Sequence, residues 1–266
     1  MAAGQQQAAA QGQSRMDGNA LEVEGLTLAW DGQTVVRDVS MRVAPGEMVC
    51  LVGRSGCGKT TLFHGLAGLT VPDAGRVLLH GEDVTGTPGR ISYMLQKDLL
   101  LPSQRIIDNV CLPLVLAGVP RAEARAKAEP LFERFGLAGT ERKWPSELSG
   151  GMRQRAAFLR TYLMGADVTL LDEPFSALDA LTRQDMRRWF CDMVHELGLS
   201  ALVITHDVDE AVSMASRVYV LAGTPSAGEP SHVAGTVDVE RSAGTQAFEL
   251  TDEFLAAKRR VMALLG

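Results

Sequence analysis

The sequence lacks any hydrophobic run long enough to cross a lipid bilayer, has few aromatic residues and carries no excess of positive charge. Phe, Trp and Tyr make up 5% of the 266 residues, and the formal net charge is -6. A bilayer span needs about 20 consecutive apolar residues, so we do not expect the chain to cross a membrane by itself. Nucleic-acid binding needs a basic face, so the acidic balance argues against a nucleic-acid partner.

Cysteine is also scarce, and its spacing excludes two classes of small domain. The four cysteines are Cys50, Cys57, Cys111 and Cys191. They form no CxxC pair and show no zinc spacing, which argues against a zinc domain and a disulfide framework. Cys50 and Cys111 stand in apolar runs and are predicted to be core residues. With 46% hydrophobic residues, the chain can build a sizeable apolar core instead.

Short apolar runs predict the strands. Residues 1–20 are mostly Ala, Gln and Gly, lack the pattern of a signal peptide and are predicted to be a disordered tail. The alternation at 21–28 is typical of a strand with one buried face. The runs at 48–52, 168–171 and 201–205 are typical of buried parallel strands.

Helices are predicted between and after these strands. Residues 59–69 and 119–135 have helical character, and from Met186 apolar residues recur at i, i+3, i+4 and i+7, as on one face of an amphipathic helix. Residues 222–250 give no periodic signal, whereas Thr251–Leu265 is predicted to be a closing helix. Strands that alternate with helices predict an α/β fold with a mainly parallel sheet.

A glycine-rich loop after the run at 48–52 carries the clearest chemical signal. It matches the pattern G-x-x-x-x-G-K-[ST] with Gly53, Arg54, Ser55, Gly56, Cys57, Gly58, Lys59 and Thr60. The glycines let backbone N–H groups face a phosphate, and the helix N-terminus that follows favours negative charge. Lys59 is predicted to reach the β- and γ-phosphates of ATP, and the Thr60 hydroxyl to ligate Mg²⁺. Helix N-termini favour thiolates, so Cys57 is expected to be alkylated readily and to be protected by ATP.

Two adjacent carboxylates end the run at 168–171. Asp172 and Glu173 follow it directly, and side chains at the carboxyl end of a parallel strand face the crevice where ligands bind. Asp172 is predicted to hold the magnesium ion. Glu173 is predicted to orient and polarise the attacking water.

Between these two motifs lies a string that resembles a family signature. Leu148-Ser149-Gly150-Gly151-Met152-Arg153-Gln154-Arg155 closely resembles the signature of the ATP-binding cassette (ABC) family of transporter ATPases. Other positions match the same family in the same order. They are Trp30 as the adenine-stacking aromatic residue, Gln96 as the glutamine loop, Ser176-Ala177-Leu178-Asp179 as the D-loop and His206 as the switch histidine.

The resemblance implies both a fold and a set of roles. The implied fold is α/β: a RecA-like P-loop NTPase core with a mainly parallel sheet, an antiparallel β subdomain and a helical signature subdomain. The implied cassette spans 21–222, with the helical subdomain at about 97–164 and a C-terminal extension at 223–266. The implied catalytic residues are Glu173, His206 and Gln96, and the implied metal set is Thr60, Gln96 and Asp172. The implied nucleotide contacts are Trp30, the loop from Gly53 to Thr60, Thr61, Ser149, Gly150, Gly151 and Asp179.

The family also works as an assembly. The resemblance implies a head-to-tail dimer, in which Gly53–Thr60 of one subunit faces Ser149–Gly151 of the second copy across ATP. ATP is expected to bind the closed dimer more tightly than the open one, and this difference in affinity drives closure. The implied partners are transmembrane permease subunits, docked along 98–110, and indirectly a solute-binding protein. The chain is then expected to lie peripherally on the cytoplasmic face of the inner membrane.

A longer string indicates a group within the family. Residues 91–102 (ISYMLQKDLLLP), followed by Asp108-Asn109-Val110, are similar to importers of the nitrate, sulfonate and taurine group, which includes thiamin-precursor uptake systems. Ser103 stands where that group usually has tryptophan, and 223–228 lacks its usual Pro-Gly-Arg. The predicted function is therefore ATP-driven import of a small solute. The alternatives are the ATPase of an exporter or lipid-extraction system, and a soluble ABC ATPase in translation, DNA repair or cluster assembly.

Overall fold

The computed structural model describes residues 18–241 and 248–266. The strands are β1 (Leu21–Trp30), β2 (Gln33–Val43), β3 (Met48–Gly53), β4 (Ala74–Leu79), β5 (Glu82–Asp83), β6 (Ser92–Met94), β7 (Val168–Asp172), β8 (Ser200–Thr205), β9 (Arg217–Thr224) and β10 (Glu229–Asp238). The helices are α1 (Lys59–Leu66), α2 (Ile106–Leu116), α3 (Arg121–Arg134), α4 (Gly150–Tyr162), α5 (Ala180–Glu196), α6 (Val208–Met214) and α7 (Asp252–Leu265). Within these two described ranges, no helix combines the length and apolarity that a bilayer span requires.

The strands of the described residues form one sheet with two differently built sides. Their order is β5-β4-β1-β2-β10-β9-β3-β8-β7-β6. On one side β1 pairs antiparallel with β2 and β4, and β4 with β5. On the other side β3 pairs in parallel with β8 and β9, and β7 in parallel with β6 and β8. The predicted α/β fold, with a mainly parallel core sheet beside an antiparallel part, is confirmed.

Strand β3 separates the apolar core into two layers. Cys50 and Val52 belong to the cluster on one face, and Val49 and Leu51 to the cluster on the other. All four side chains are fully buried, which is why this strand appears in the sequence as a continuous apolar run. The glycine-rich loop therefore starts from a strand that is packed on both faces. Cys111 is buried as well, so the prediction that Cys50 and Cys111 lie in the core is confirmed.

Aromatic rings join the helices α3 and α4 to α5. The ring centroid of Phe158 in α4 lies 4.8 Å from that of Phe190 and 6.0 Å from that of Trp189, both in α5. Phe135, which follows α3, lies 5.7 Å from Phe158. Such pairs contribute about 0.5–1.5 kcal/mol each beyond the area they bury. The helix that begins at the signature is therefore held firmly on α5.

Two helix boundaries differ from the sequence-based expectation. Helix α1 ends at Leu66 rather than at residue 69, because Gly68 turns to a φ of 72°. A Cβ on Gly68 would lie 2.4 Å from the backbone of Thr87, so the turn is also tightly packed. The helix expected at 119–135 starts at Arg121, directly after Pro120, which has a non-helical conformation.

Residues 222–250, which give no periodic signal in the sequence, include regular strands. Strand β9 continues to Thr224, and β10 lies in the sheet between β9 and β2. The expected boundary at 222/223 therefore falls inside a strand. Helix α7 matches the predicted closing helix and is capped by Thr251, whose Oγ1 accepts the N–H of Phe254 at 3.2 Å.

The predicted tail falls largely on residues outside the described ones. Positions 1–17 are not described, and neither are positions 242–247. At the end of the expected tail, Ala20 is buried, and its N–H donates to the carbonyl oxygen of Val43 at 2.8 Å. Regular packing therefore begins one residue before β1.

Candidate nucleotide-binding site

The glycine-rich loop connects β3 to α1, and two of its glycines have no room for a side chain. Gly58 has a φ of 90°, and a Cβ there would lie 2.6 Å from Cγ1 of Val35. A Cβ on Gly53 would lie 2.7 Å from Sγ of Cys57 and 2.7 Å from the carbonyl oxygen of Leu221. Side chains at these positions would push the loop away from β2 and β9. The loop N–H groups and the N-terminus of α1 together form a site suited to an anion.

Lys59 lies across this loop. Its Nζ donates to the carbonyl oxygens of Gly53 at 2.8 Å and Arg54 at 3.0 Å, and the residue is 7% exposed. Around it, Arg54, Ser55 and Gly56 are exposed at the crest of the loop, while Thr61 is half-buried in the first turn of α1. A phosphate oxygen at the loop would accept charge-assisted hydrogen bonds from the same ammonium group.

Oxygen ligands from two distant segments converge beside α1. Oγ1 of Thr60 and the phenol oxygen of Tyr93 each lie 3.2 Å from Oδ2 of Asp172. Burial raises the pKa of Asp172, and the hydrogen bonds from Thr60 and Tyr93 oppose that rise. A hydroxyl and a carboxylate oxygen are the hard ligands that Mg²⁺ prefers. These side chains therefore fit a magnesium ion.

Glu173 is the centre of a polar cluster at the ends of β7 and β8. Its Oε1 lies 3.2 Å from Nδ1 of His206, and its Oε2 accepts from Nε2 of Gln96 at 3.1 Å. Gln96 Nε2 also lies 3.4 Å from Oγ of Ser176, so the amide oxygen is the atom of Gln96 that could hold a metal ion. The backbone of Glu173 has a φ of 44°, a left-handed conformation that costs about 1–3 kcal/mol in a residue with a side chain. Such strain is found mostly at functional sites, and here it turns the carboxylate towards Gln96 and His206.

The signature residues lie together at the start of α4, in a different part of the subunit. Oγ of Ser149 caps this helix by accepting the N–H of Met152 at 3.3 Å. The side chain of Leu178 lies 3.2 Å from a Cβ placed on Gly150, and that of Thr182 lies 3.3 Å from a Cβ placed on Gly151. The signature therefore packs beside the D-loop of its own chain.

Asp179 and Trp30 complete the set of predicted nucleotide contacts. Asp179 caps α5 through its Oδ1, which accepts the N–H of Thr182 at 3.1 Å, and this hydrogen bonding lowers the pKa of Asp179. Trp30 ends β1 opposite Gln33 and is 59% exposed. The indole is therefore available for stacking and is no part of the core.

Cys57 does not have the environment that the sequence suggested. The residue is 2% exposed, and burial raises the pKa of its thiol although the charge of Lys59 opposes the rise. The neutral thiol is therefore favoured at physiological pH. This burial disfavours the thiolate that the sequence suggested, because the loss of solvent outweighs the charge of Lys59.

Three polar residues near this site were missed by sequence reasoning. They are Tyr93, Arg183 and Glu210. Tyr93 sits in the three-residue strand β6, where the side chain could equally have been a core residue. Its contact with Asp172 depends on the parallel pairing of Tyr93 with Leu170 in β7, which no local pattern reveals.

Comparisons with known proteins agree with this geometry. The ABC transporter family profile matches residues 36–176 of the 266. The formylaminopyrimidine import ATP-binding protein ThiZ of Halalkalibacterium halodurans is 41% identical over 78% of this chain and 82% of its own length. The aliphatic sulfonates import ATP-binding protein SsuB of Cupriavidus necator is 41% identical, over 81% of this chain and 70% of its own. The taurine import ATP-binding protein TauB of Yersinia pestis is 40% identical over 77% of this chain and 80% of its own length.

A solved structure shares the fold. It is cbiO1 from Clostridium perfringens, described as part of the ABC transporter complex cbiONQ. The TM-score is 0.69 at 26% identity, and the match covers 77% of this chain and 85% of that one.

The chain belongs to the ABC transporter family. It is an ATP-binding subunit and an ATPase with a P-loop NTPase fold. The relatives are subunits of the importer group that the sequence resembled, so that resemblance is confirmed. Subunits of this kind act with membrane permeases.

Proposed function

We propose that this chain energises the import of a small polar organic solute of the sulfonate, taurine or thiamin-precursor class. The observation that carries the proposal is that three relatives of 40–41% identity are each named as import ATP-binding proteins for such solutes. The same observation favours import over the exporter and the soluble ABC ATPase. The solute itself would be chosen by other subunits of the transporter.

ATP would bind at the loop Gly53–Thr60 and Thr61, with the base on Trp30. Lys59 is already held over the loop, and phosphate oxygens would replace the carbonyl oxygens that it contacts here. Stacking of a base on an aromatic ring is worth about 1–3 kcal/mol, so Trp30 would contribute to the affinity for ATP without being its main source. Thr60, Asp172 and Gln96 would hold Mg²⁺, which supplies positive charge at the β- and γ-phosphates.

Glu173 would act on the attacking water. Its carboxylate accepts hydrogen bonds from Gln96 and lies beside His206, so it is oriented from both sides. Glu173 would accept a hydrogen bond from the water and polarise it, and His206 would stabilise charge on the γ-phosphate. Gln96 would both bind the metal and report nucleotide state, because the segment after it is tied to α4. Arg160 of α4 donates to the carbonyl oxygens of Asp98 at 2.5 Å and Leu99 at 2.9 Å.

A second copy of the chain would complete the site. Ser149, Gly150 and Gly151 would face the loop Gly53–Thr60 of the other subunit, and Asp179 would approach the nucleotide across the same interface. In support, the signature packs beside its own D-loop and is capped there, so the two segments are positioned together. Backbone N–H groups of the signature would close the cage around the γ-phosphate only in the dimer.

The permease would dock beside the glutamine loop. The exposed side chains in this region include Leu95, Leu99, Leu101 and Arg105, whereas Ile106 and Val110 are buried in α2. The docking segment expected at 98–110 is therefore better placed at 95–105. The chain would lie peripherally at the cytoplasmic face of the inner membrane and would meet the solute-binding protein only through the permease. The helical subdomain would span 97–164 of the cassette. Because β10 lies in the cassette's sheet, the C-terminal extension would begin after residue 238 rather than at 223.

Reconstitution of the transporter tests the proposal. The chain would be placed in proteoliposomes with the permease encoded beside it and with the solute-binding protein inside or outside the vesicle. ATP turnover should rise when the binding protein carries one of three solutes: taurine, an alkanesulfonate or formylaminopyrimidine. Uptake into vesicles with external binding protein and ATP inside would support import. ATP turnover that no solute-binding protein and no permease alters would contradict it.

A further inference from the structure

A partly buried ion pair lies behind the proposed catalytic residues. Nη2 of Arg183, in the first turn of α5, donates to the carbonyl oxygen of Leu178 at 2.9 Å. Nε of Arg183 lies 3.8 Å from Oε1 of Glu210 in α6. Glu210 is 6% exposed, and its Oε2 accepts from Oγ1 of Thr205 at 2.8 Å. The pair therefore joins the D-loop to the end of β8.

The Glu210 end of the pair fixes the residues on both sides of His206. Oγ1 of Thr205, the residue before His206, accepts the N–H of Asp207 at 3.0 Å. Oδ1 of Asp207, the residue after it, accepts the N–H of Glu210 at 3.1 Å. Because the Thr205 hydroxyl joins the Glu210 carboxylate to the N–H of Asp207, a displacement of this carboxylate would shift the residues on both sides of the imidazole.

The ion pair has room to tighten. A cavity of about 30 Å³ is lined both by Arg183 and Glu210 and by Glu173, Ser176 and His206. That volume suffices for one water molecule. Nε of Arg183 is buried and has no hydrogen-bond acceptor among the residues that the structure describes. The 3.8 Å between Nε and Oε1 of Glu210 is longer than a hydrogen bond, so the guanidinium can still approach Glu210.

Stability alone does not account for this contact. Glu210 is buried whereas the side chain of Arg183 is 35% exposed, and at 3.8 Å the guanidinium recovers little of the cost of burying the carboxylate. Burial raises the pKa of Glu210 against the hydrogen bond from Thr205 and the charge of Arg183. A loosely closed pair of this kind is better explained by a second arrangement in which the two groups are closer together.

We propose that Arg183 and Glu210 are positioning residues that couple the D-loop to His206. The inference rests on the proposed function, in which residues 176–179 face the second subunit and His206 faces the γ-phosphate. Closure of the dimer displaces Leu178 and carries the guanidinium onto Glu210. Glu210 then fixes Thr205 and Asp207, and His206 is held against Glu173. Hydrolysis thereby depends on the presence of the second subunit, although no residue of this link touches ATP.

Three variants test the link: Arg183→Met, Glu210→Gln and the double variant. ATP affinity should change by less than about twofold, because no contact with the nucleotide is lost, while kcat falls about tenfold or more through misplacement of His206. The double variant should be no slower than the slower single variant, because both changes break one link and their effects are not independent. Arg134→Met is the matched control. It breaks the ion pair of Arg134 with Glu196, at the far end of α5, and should retain kcat.

The readouts separate positioning from folding and from the proposed function. Each variant in a Glu173→Gln background should still form an ATP-trapped dimer. Glu210→Gln keeps the size and the acceptor of the side chain, so it tests the link even if Arg183→Met does not fold. Parental kcat in the folded single variants, or losses that multiply in the double variant, would overturn the inference while leaving the proposed function intact. A parent protein without ATP turnover would instead overturn the proposed function.

Discussion

Oγ1 of Thr60 lies 3.2 Å from Oδ2 of Asp172, although 112 residues separate them in the chain. Thr60 reaches this position from the first turn of α1, and Asp172 from the end of β7. Both elements start or end at the carboxyl edge of the parallel sheet, where ligands of α/β proteins bind. Within one subunit, the contact brings the phosphate loop together with the carboxylate that would hold the magnesium ion.

The first prediction concerns Lys59. Lys59→Ala removes the ammonium group that donates across the loop, and each charge-assisted hydrogen bond is worth about 1.5–3 kcal/mol. The dissociation constant for Mg-ATP should rise at least about tenfold, and turnover should be lost. A fluorescent ATP analogue measures the affinity. Lys127→Ala, which removes an exposed lysine paired with Glu123 on α3, is the control. Equal affinity in Lys59→Ala and Lys127→Ala would disprove the assignment of the loop.

The second prediction separates binding from hydrolysis at Glu173. Glu173→Gln keeps the size of the side chain and loses the charge that polarises water, so hydrolysis should nearly stop while ATP binding persists. ATP should then convert the protein to a stable dimer, which size-exclusion chromatography with light scattering detects. Loss of ATP binding together with turnover would mean that Glu173 has a structural or metal-holding role instead.

Tyr93 provides the third prediction, because its phenol donates to the same carboxylate oxygen as Thr60. Tyr93→Phe keeps the ring, which packs edge-to-face on Phe63 at 5.9 Å, and loses only the hydrogen bond. Asp172 is then held less well, and the concentration of Mg²⁺ at half-saturation should rise about threefold to tenfold.

Nucleotide fluorescence titrated with Mg²⁺, and Mn²⁺ binding followed by electron paramagnetic resonance, both measure this shift. ATP binding without metal should not change. Tyr162→Phe is the control, because Tyr162 packs on Phe135 in the helical layer. If Tyr93→Phe and Tyr162→Phe bind metal alike, the phenol does not position Asp172.

The fourth prediction follows from the burial of Cys57. Because its pKa is raised by burial, the thiolate fraction at pH 7 is below that of an exposed cysteine and increases as the pH rises. Iodoacetamide should therefore modify Cys57 at least about tenfold more slowly in the native protein than in urea. Peptide mass spectrometry at timed intervals gives both rates. Rapid native modification at pH 7, with protection by ATP, would restore the thiolate interpretation.

The sequence identified the parts of the site that are local. Gly53–Thr60 and the pair Asp172 and Glu173 each follow an apolar strand, so their positions could be predicted from neighbouring residues alone. The full string at Leu148–Arg155 placed the signature in the same way. Each of these motifs consists of consecutive residues, so it can be recognised in a single sequence.

The remaining features depend on contacts between distant segments. Strand β10 is rich in residues that disfavour strands, and it is extended because it pairs with β9 and β2. Arg183 and Glu210 resemble ordinary helix charges until α5 and α6 bring them together. The burial of Cys57 could not be predicted, because the helix N-terminus is visible in the sequence whereas the packing that buries the thiol is not.

The central claim is that each ATP site is built from two subunits, and tandem-linked dimers test it most directly. Lys59→Ala removes a phosphate contact, and Ser149→Arg places a bulky charge at the signature. With both changes on one chain, each of the two sites has one defect. With the changes on separate chains, one site collects both defects and the other is intact.

The measurement is the amount of ATP trapped per linked dimer in a Glu173→Gln background. We expect about one ATP per dimer when the changes are on separate chains, and almost none when they share a chain, because an intact site needs Lys59 and a facing signature from different subunits. Equal trapping in the two arrangements would contradict a site formed across the dimer interface.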